Sequence, residues 1–256
     1  MKRIIIICLM IGLCITGCQS RKHEEVTDIK QPEGSEEETP TATETQRIIC
    51  IDAGHQKEAN TGLEAIGPGS STMKTKVTGG TVGQYTGQKE SVLNLKVALN
   101  VKELLELMGY KVVMTRTSQN VNISNIERAQ IANNAHADIC VRIHANGTTN
   151  PNVHGFFAIT PSSKNPYLNR SVISHSKKLS RYILKYFGAV TKAQNHGLSY
   201  RDDLTGTNWC KMPVTLIEMG EMKNKEEDTK MATEEYQRKM AYGIAWGIHR
   251  YLSRYK

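Results

Sequence analysis

Four side chains able to bind a metal ion or move a proton stand where predicted strands end or a predicted helix begins. His55 closes the string D-A-G-H after the first strand, and His144 follows the apolar run I-C-V-R-I. Glu90 opens a long helix, and Glu218 lies near the end of a later strand. Two imidazoles and one carboxylate are a common ligand set for a catalytic zinc ion that keeps one position for water. A separate carboxylate nearby can then act as a general base.

Other familiar catalytic patterns are missing from the chain. There is no H-E-x-x-H string, no nucleophile elbow, and the glycine-rich stretch 79–87 lacks the spacing of a phosphate-binding loop. Spacing alone is therefore modest support for a metal site, and the elements around the four residues must be considered.

Those elements alternate between strands and helices. Strands are predicted at 47–52, 110–115, 138–143, 155–160 and 214–219. Helices are predicted at 90–108, from Ser124 to about 135, at 169–187 and at 234–252, and S-N-I-E at 124–127 is a capping-box sequence. This alternation predicts one α/β domain with a mixed, mainly parallel sheet of about six strands and helices on both faces. In such sheets binding sites lie at the carboxyl ends of the strands, where the four residues stand.

The first residues have the character of an export signal. A basic head, M-K-R, precedes the apolar run 4–15, which is too short for a bilayer, where about 20 residues are needed. The run ends in I-T-G-C, which resembles a bacterial lipoprotein box, with a plain signal peptide as the alternative. We therefore predict a signal peptide at 1–17 and a lipidated Cys18 that anchors the protein to the membrane outside the cytoplasm.

Residues 18–46 are rich in Glu, Thr, Pro and Ser and lack apolar periodicity, which predicts an acidic disordered tether. The folded domain is then 47–256. The whole chain has 256 residues, is 39% hydrophobic and has a net charge of +8, a composition that excludes collagen-like, coiled-coil and wholly disordered proteins. The basic domain suits a polyanionic neighbourhood, but no motif for nucleic-acid binding accompanies the charge. Cys50 and Cys140 lie in apolar strand-like runs and are predicted as small buried residues, with a Cys50–Cys140 bridge as the alternative; the odd number formed with Cys210 rules out a full disulfide framework.

Four longer strings resemble one family. I-D-A-G-H, the run from E-S-V-L-N-L to V-M-T-R, the run from E-R-A-Q to R-I-H-A-N, and M-P-V-T-L-I-E-M-G occur in order across 47–252. They resemble the zinc-dependent N-acetylmuramoyl-L-alanine amidases, the third amidase family. The resemblance implies one Zn²⁺ held by His55, Glu90 and His144, with Glu218 as the catalytic base. It also implies a hydrolase that cuts the amide between N-acetylmuramic acid and L-alanine in peptidoglycan.

The sequence departs from the family pattern beside the site. Ala53 and Gln56 stand where the family usually has Pro and Gly, and Glu221 lies where an apolar or small residue is usual. We expect Glu221 to alter substrate fit, and we expect the long segment 56–89 to be a surface loop beside the cleft.

Three further residues are candidates for supporting roles. Arg142 shares a strand face with His144, so it either contacts an anionic group of the substrate or pairs with an acid. Asn146 is a candidate donor to the oxyanion, and Asp52 a candidate acceptor that orients a ligand histidine. We expect a monomer whose partner is peptidoglycan, and the sequence does not identify the regulatory protein that could control the cleft. Two rivals stay open: a zinc peptidase acting within the stem peptide, and a lipoprotein that only binds the wall.

Overall fold

The structure is a computed structural model that describes residues 46–255. The predicted signal peptide 1–17, the predicted lipidation at Cys18 and all but the last residue of the predicted tether 18–46 lie outside the described residues. Within residues 46–255 no helix is both long enough and apolar enough to cross a bilayer.

Residues 46–255 form eight strands and six helices. The strands are β1 (Ile48–Ala53), β2 (Asn60–Ala65), β3 (Met73–Val77), β4 (Lys111–Met114), β5 (Ile139–Asn146), β6 (Phe156–Thr160), β7 (Asn195–Tyr200) and β8 (Val214–Glu221). The helices are α1 (Glu90–Leu107), α2 (Asn125–Asn134), α3 (Arg170–Thr191), α4 (Thr205–Asn208), α5 (Lys225–Met231) and α6 (Glu234–Arg254).

Six strands form one sheet in the order β4-β1-β5-β8-β6-β7. All neighbouring pairs run parallel except β6 and β8, which are antiparallel. The predicted fold class, an α/β domain with a mainly parallel sheet of about six strands flanked by helices, is confirmed. The parallel strands β1, β5 and β8 bring their carboxyl ends to the same edge.

The larger core lies between one face of the sheet and the helices α1, α3 and α6. Alternate residues of β1 point to this side, with Ile49, Ile51 and Ala53 fully buried. Helices α3 and α6 approach closely because Gly247 has no side chain: a Cβ there would lie 2.6 Å from the Cα of Ile183. Burial of these apolar surfaces stabilises the fold by roughly 25 cal/mol per Å² removed from water.

A smaller core lies on the other face, under α2 and α4. It contains the three cysteines Cys50, Cys140 and Cys210, which are buried and free. The prediction of buried thiols agrees with the structure, and the alternative Cys50–Cys140 bridge is not formed. Farther along the strands this same face becomes polar, and the site lies there.

Two features were not predicted. The segment 56–89, expected to be a loop, contains the antiparallel hairpin of β2 and β3, which lies outside the main sheet. Strand β7 at the edge of the main sheet was also missed, because its sequence N-H-G-L-S-Y is mostly polar and exposed.

Candidate metal centre

The ends of β1 and β5 bring the two predicted histidines together. The backbone N–H of Gly54 donates to the carbonyl of Ile143 at 3.0 Å, which fixes the turn after β1 against β5. Gly54 is required here, since a Cβ would lie 2.3 Å from the ring of His144. His55 follows with φ of +58°, a conformation that costs a non-glycine residue about 1–2 kcal/mol. The imidazole rings of His55 and His144 meet with centroids 4.8 Å apart.

The first residue of α1 supplies the carboxylate between the two rings. Glu90 Oε1 lies 3.1 Å from His55 Nε2 and 3.1 Å from His144 Nδ1. The potential donor atoms of these three residues all lie within 4.8 Å of one another. The structure thus brings together the three residues predicted to ligate a metal.

Hydrogen bonds from the surrounding chain orient each donor. His55 Nδ1 lies 2.8 Å from the carbonyl oxygen of Thr78, which orients the ring so that Nε2 points at Glu90. Glu90 Oε2 accepts from the backbone N–H of Thr81 at 2.9 Å. Glu90 Oε1 accepts from the side-chain amide of Asn94 at 3.1 Å.

The protonation states of the cluster suit a cation. Burial lowers the pKa of His144 to about 4 despite the opposing effect of Glu90, so this ring is neutral at pH 7. Although burial opposes ionisation of Glu90, its contacts with His144 and His55 hold the pKa of that carboxyl well below its ordinary range. The centre is therefore a carboxylate anion flanked by imidazole nitrogens.

The residues fit a divalent metal ion. His55 Nε2 and His144 Nδ1 each lie 3.1 Å from the same carboxylate oxygen of Glu90, so nitrogen and oxygen donors converge on one point. His144 Nε2 is buried without any hydrogen-bond partner. Two nitrogens and one oxygen are the donor set of many catalytic zinc sites, in which a fourth position stays open.

Glu218 lies beside this centre on β8. Its Cα is the register partner of His144 across the β5–β8 ladder. Glu218 Oε2 is buried and has no hydrogen-bond partner. Burial, followed by the nearby carboxylates of Glu90 and Glu221, raises the pKa of Glu218 well above its ordinary value. A carboxyl group in this setting is a strong proton acceptor.

The centre opens into a cleft of about 330 Å³. Its floor is formed by His55, His144 and Glu218, and its walls come from β3 and from the segment after β7. The segment 56–89 therefore borders the cleft as expected, but through a strand rather than a loop. A larger groove of about 750 Å³ lies between α1 and α6 and contains none of these residues.

Two cations on the walls were not predicted. Lys74 of β3 and Arg201 after β7 line the cleft, and both bond to Asp203. Lys74 Nζ lies 3.0 Å from Asp203 Oδ2, and Arg201 donates two hydrogen bonds to Asp203 at 2.8 and 2.6 Å. Two cations sharing one acid leave the walls with net positive charge.

Arg142 both lines the cleft and pairs with an acid. Its Nε donates to Asp52 Oδ2 at 2.8 Å, and another guanidinium nitrogen donates to Asn125 Oδ1 at 2.6 Å. The sequence left two alternatives for Arg142, an ion pair with an acid and a contact with the substrate. The structure shows the ion pair with Asp52, and Arg142 also lines the cleft, so the two alternatives are compatible.

The expected contact between Asp52 and a ligand histidine is not found. Strand alternation places Asp52 on the polar face of β1, where Oδ1 accepts from Thr115 and Arg128 and Oδ2 accepts from Arg142. These bonds use the carboxylate fully, and the backbone of Thr78 orients His55 instead.

Asn146 and Glu221 bond to each other rather than facing the cleft. The Asn146 amide donates to Glu221 Oε1 at 2.6 Å, and the backbone N–H of Thr148 donates to Glu221 Oε2 at 3.1 Å. Glu221 is 2% exposed, so it fixes the chain after β5 and does not shape the substrate surface. Asn146, a candidate oxyanion donor, is not among the residues that line the cleft.

Comparisons with known proteins give consistent matches. A family profile described as N-acetylmuramoyl-L-alanine amidase matches residues 49–250. An N-acetylmuramoyl-L-alanine amidase of Mycobacterium tuberculosis is 26% identical over 214 residues, which cover 80% of this chain and 86% of that protein.

Solved structures agree with the sequence matches. The crystal structure of the N-acetylmuramyl-L-alanine amidase Ami1 from Mycobacterium smegmatis has a TM-score of 0.74 at 27% identity, and the match covers 81% of this chain and 97% of that one. The catalytic domain of CwlV, an N-acetylmuramoyl-L-alanine amidase from Bacillus (Paenibacillus) polymyxa, has a TM-score of 0.65 at 27% identity, covering 81% and 99%.

Proposed function

Because this chain belongs to the N-acetylmuramoyl-L-alanine amidase family, we propose that it cuts peptidoglycan between N-acetylmuramic acid and L-alanine of the stem peptide, using one zinc ion. The bond is an amide, and the reaction consumes one water molecule. Its products are the free lactyl carboxylate of the muramic acid and a peptide with a free amino terminus.

One observation carries the proposal. His55, Glu90 and His144 converge within 4.8 Å, and the partnerless carboxylate oxygen of Glu218 lies beside them in the same cleft. Three metal-binding donors and an independent basic group are the parts that metal-assisted amide hydrolysis needs.

His55, Glu90 and His144 would hold the zinc ion. A zinc ion bound there would supply Lewis-acid polarisation of the scissile carbonyl and of the attacking water. The contact between His55 Nδ1 and the Thr78 carbonyl would hold the imidazole in a fixed orientation towards the metal. Asn94 and Thr81 hold the carboxylate of Glu90 in place.

Glu218 would move the proton. Its Oε2 accepts a proton from water as the water oxygen bonds to the carbonyl carbon. The same proton then passes to the leaving nitrogen as the carbon–nitrogen bond breaks. Because its pKa is raised by burial and by the nearby carboxylates, Glu218 is a stronger proton acceptor than an ordinary carboxylate, which favours the first step.

The positive walls fit the chemistry of the substrate. Stem peptides carry carboxylates, and Lys74 and Arg201 stand on the walls with a single acid, Asp203, between them. Arg142 adds a fixed guanidinium at the floor of the cleft. We propose that these cations orient the peptide part of the substrate.

Digestion of intact peptidoglycan tests the bond that is cut. The purified full chain is incubated with peptidoglycan under three conditions: without chelator, in the presence of chelator, and after chelator treatment followed by added zinc. Mass spectrometry should show free muramic-acid carboxylates and peptides beginning with L-alanine, lost with chelator and restored by zinc. Cleavage only within the stem peptide would instead support the rival peptidase, and zinc binding without any cleavage would support a wall-binding protein.

The place of action follows from the substrate and from the first residues. We propose that the chain acts outside the cytoplasm, anchored by a lipid on Cys18 and spaced from the membrane by residues 18–46. In cells grown with an azide-labelled fatty acid, the protein should become covalently labelled. The Cys18→Ser variant should carry no label. Labelling that persists in Cys18→Ser would contradict the anchor.

A further inference from the structure

Helix α3 carries a row of cations without acidic neighbours. Residues 161–201 contain eight Lys and Arg residues and not one Asp or Glu. Within α3, Lys177, Arg181 and Lys185 recur every four residues, so they lie on one side of the helix, about 6 Å apart along its axis. Arg181 and Lys185 are exposed and Lys177 is half-buried. Arg170, Lys178 and Lys192 extend this basic face, which we call the α3 stripe.

The α3 stripe differs from the other long helices because α3 contains no acidic residue. On α1, α5 and α6 some cations pair with an acid one turn away, as Lys102 does with Glu106, Lys230 with Glu226, and Lys239 with Glu235, while others, such as Lys96 and Arg250, form no ion pair with any described residue. Among residues 46–255 none of the α3 cations forms an ion pair. Three of them instead rest on aromatic rings, with the Nζ of Lys177 5.2 Å from the centroid of Tyr200. Unpaired like charges repel one another, so a row of them costs stability unless an anion binds.

A groove runs beside the stripe. Arg181, Leu184 and Lys185 of α3 face Asn195 and Tyr200 of the edge strand β7 across a space of about 440 Å³. No acidic residue lines it. Tyr200 is 50% exposed, which offers a flat ring beside the cations.

These observations favour a linear polyanion over a membrane. Helices that bind at a membrane surface insert apolar side chains below the headgroups. The apolar side of α3 is already buried in the core, where Leu179, Ile183 and Phe187 are each 0% exposed. Cations at regular 6 Å intervals along a line match a polymer with one charge on each short repeating unit.

We propose that the α3 stripe and its groove bind a linear cell-wall polyanion whose repeating units each carry a phosphate. The inference that the ligand is a polyanion is drawn from α3 alone. Only the inference that this polyanion belongs to the cell wall rests on the proposed function. The stripe lies on the face of the sheet opposite the polar face that carries Glu218. The bound polymer would hold the enzyme near its substrate without filling the cleft.

Binding of fluorescein-labelled poly(glycerol phosphate) tests the proposal. Fluorescence anisotropy is measured with the full chain in non-ionic detergent at several salt concentrations. In the stripe triple Lys177→Gln, Arg181→Gln and Lys185→Gln we expect at least about tenfold weaker binding. The slope of log affinity against log salt should fall by about 2–3, because three phosphate contacts are lost.

A matched triple removes the same charge elsewhere. The control variant combines Lys230→Gln, Arg238→Gln and Lys239→Gln. The wild-type residues at these positions lie on α5 and α6 and form ion pairs, so the control should bind the polymer as the wild type does. Equal loss in both triples would mean that net charge alone attracts the polymer, and absence of binding by the wild type would also overturn the proposal. A second experiment measures binding to vesicles of phosphatidylcholine with phosphatidylglycerol. If the stripe triple lost vesicle binding but bound the polymer as the wild type does, the α3 stripe would be a membrane-binding surface and the proposal would be overturned.

Cleavage of small soluble muropeptides separates this proposal from the proposed function. The stripe triple should keep wild-type turnover on them, because none of the three residues lines the cleft. If the wild-type chain bound the polymer but cut no muropeptide, the proposed function would be refuted, while the proposal that the α3 stripe binds a polyanion would still hold.

Discussion

His144 and Glu218 occupy the same level of adjacent parallel strands, one on β5 and the other on β8. The register of this ladder therefore fixes the spacing between a candidate metal ligand and the candidate base. A slip of one residue would turn Glu218 into the opposite core, where Ile217 and Met219 now lie buried. The buried ladder thus positions the reactive groups more firmly than a loop would.

Glu218→Gln should abolish turnover and leave metal binding intact. The amide keeps the shape of the side chain but cannot accept the proton from water, and general-base catalysis contributes about 10²–10⁴-fold. Turnover is measured on muropeptides, and zinc content by atomic emission. Glu103→Gln, exposed on α1 and outside the cleft, is the matched control and should be fully active. Turnover within a few-fold of wild type in Glu218→Gln would exclude this residue as the base.

Asn94→Ala should weaken zinc binding without removing a ligand. Asn94 donates to Glu90 Oε1 at 3.1 Å and to the carbonyl of Gly54 at 3.3 Å, so it ties the carboxylate to the turn after β1. Loss of such an outer contact typically costs about 10–100-fold in metal affinity. Competition with a fluorescent zinc chelator gives the affinity. Asn100→Ala, on the same helix but lining the distant α1–α6 groove, should bind zinc like wild type; equal affinities for all three proteins would show that Asn94 does not support the centre.

Zinc should stabilise the fold through the same three donors. Saturation at about 1,000 times the dissociation constant adds about 4 kcal/mol to the free energy of unfolding when only the native state binds. The thermal midpoint should rise with added zinc, and magnesium should have little effect because it prefers oxygen ligands. His144→Ala removes one donor and should lose most of the shift. A zinc-dependent rise of wild-type size in His144→Ala would place the binding site elsewhere.

The parts of the fold that could be predicted are those whose burial leaves a pattern in the chain. The apolar runs of β1, β5 and β8 reflect strands covered on both faces, and the capping box at Ser124 forms both of its expected hydrogen bonds. Strand β7 leaves no such pattern, because it lies at an edge, is mostly polar and contains Gly197 at φ +78°. The antiparallel direction of β6 relative to β8 likewise leaves no local signal in the sequence.

The same distinction holds at the site. The four reactive residues could be predicted because they stand at strand ends or at a helix start. The partner of His55 is the backbone carbonyl of Thr78, and any residue type could supply it. Asn94 could have been recognised, since it lies one helical turn after Glu90 and so on the same side of α1. Asp52 was misjudged because its partners Thr115, Arg128 and Arg142 come from distant parts of the chain.

Asp52→Asn should be strongly destabilising at neutral pH. Burial alone would raise the pKa of Asp52, but Arg128, Arg142 and the hydroxyl of Thr115 together hold it well below its ordinary range. The substitution leaves two buried guanidinium groups without their shared acid, which costs about 3–5 kcal/mol. Urea unfolding of both proteins at pH 7 measures the difference. Asp203→Asn is the control: Asp203 is half-exposed in its ion pairs, so its loss should cost no more than about 1 kcal/mol.

The pH dependence gives this prediction a second measurement. Because the pKa of Asp52 is lower in the folded state, its contribution is complete above the unfolded pKa of about 3.9 and is lost as the pH falls towards the folded value. The difference in unfolding free energy between wild type and Asp52→Asn should therefore be constant from pH 7 to about 5 and shrink below about pH 4. If the difference stayed constant down to the acid transition, the ionised form of Asp52 would not be what stabilises the polar face of β1.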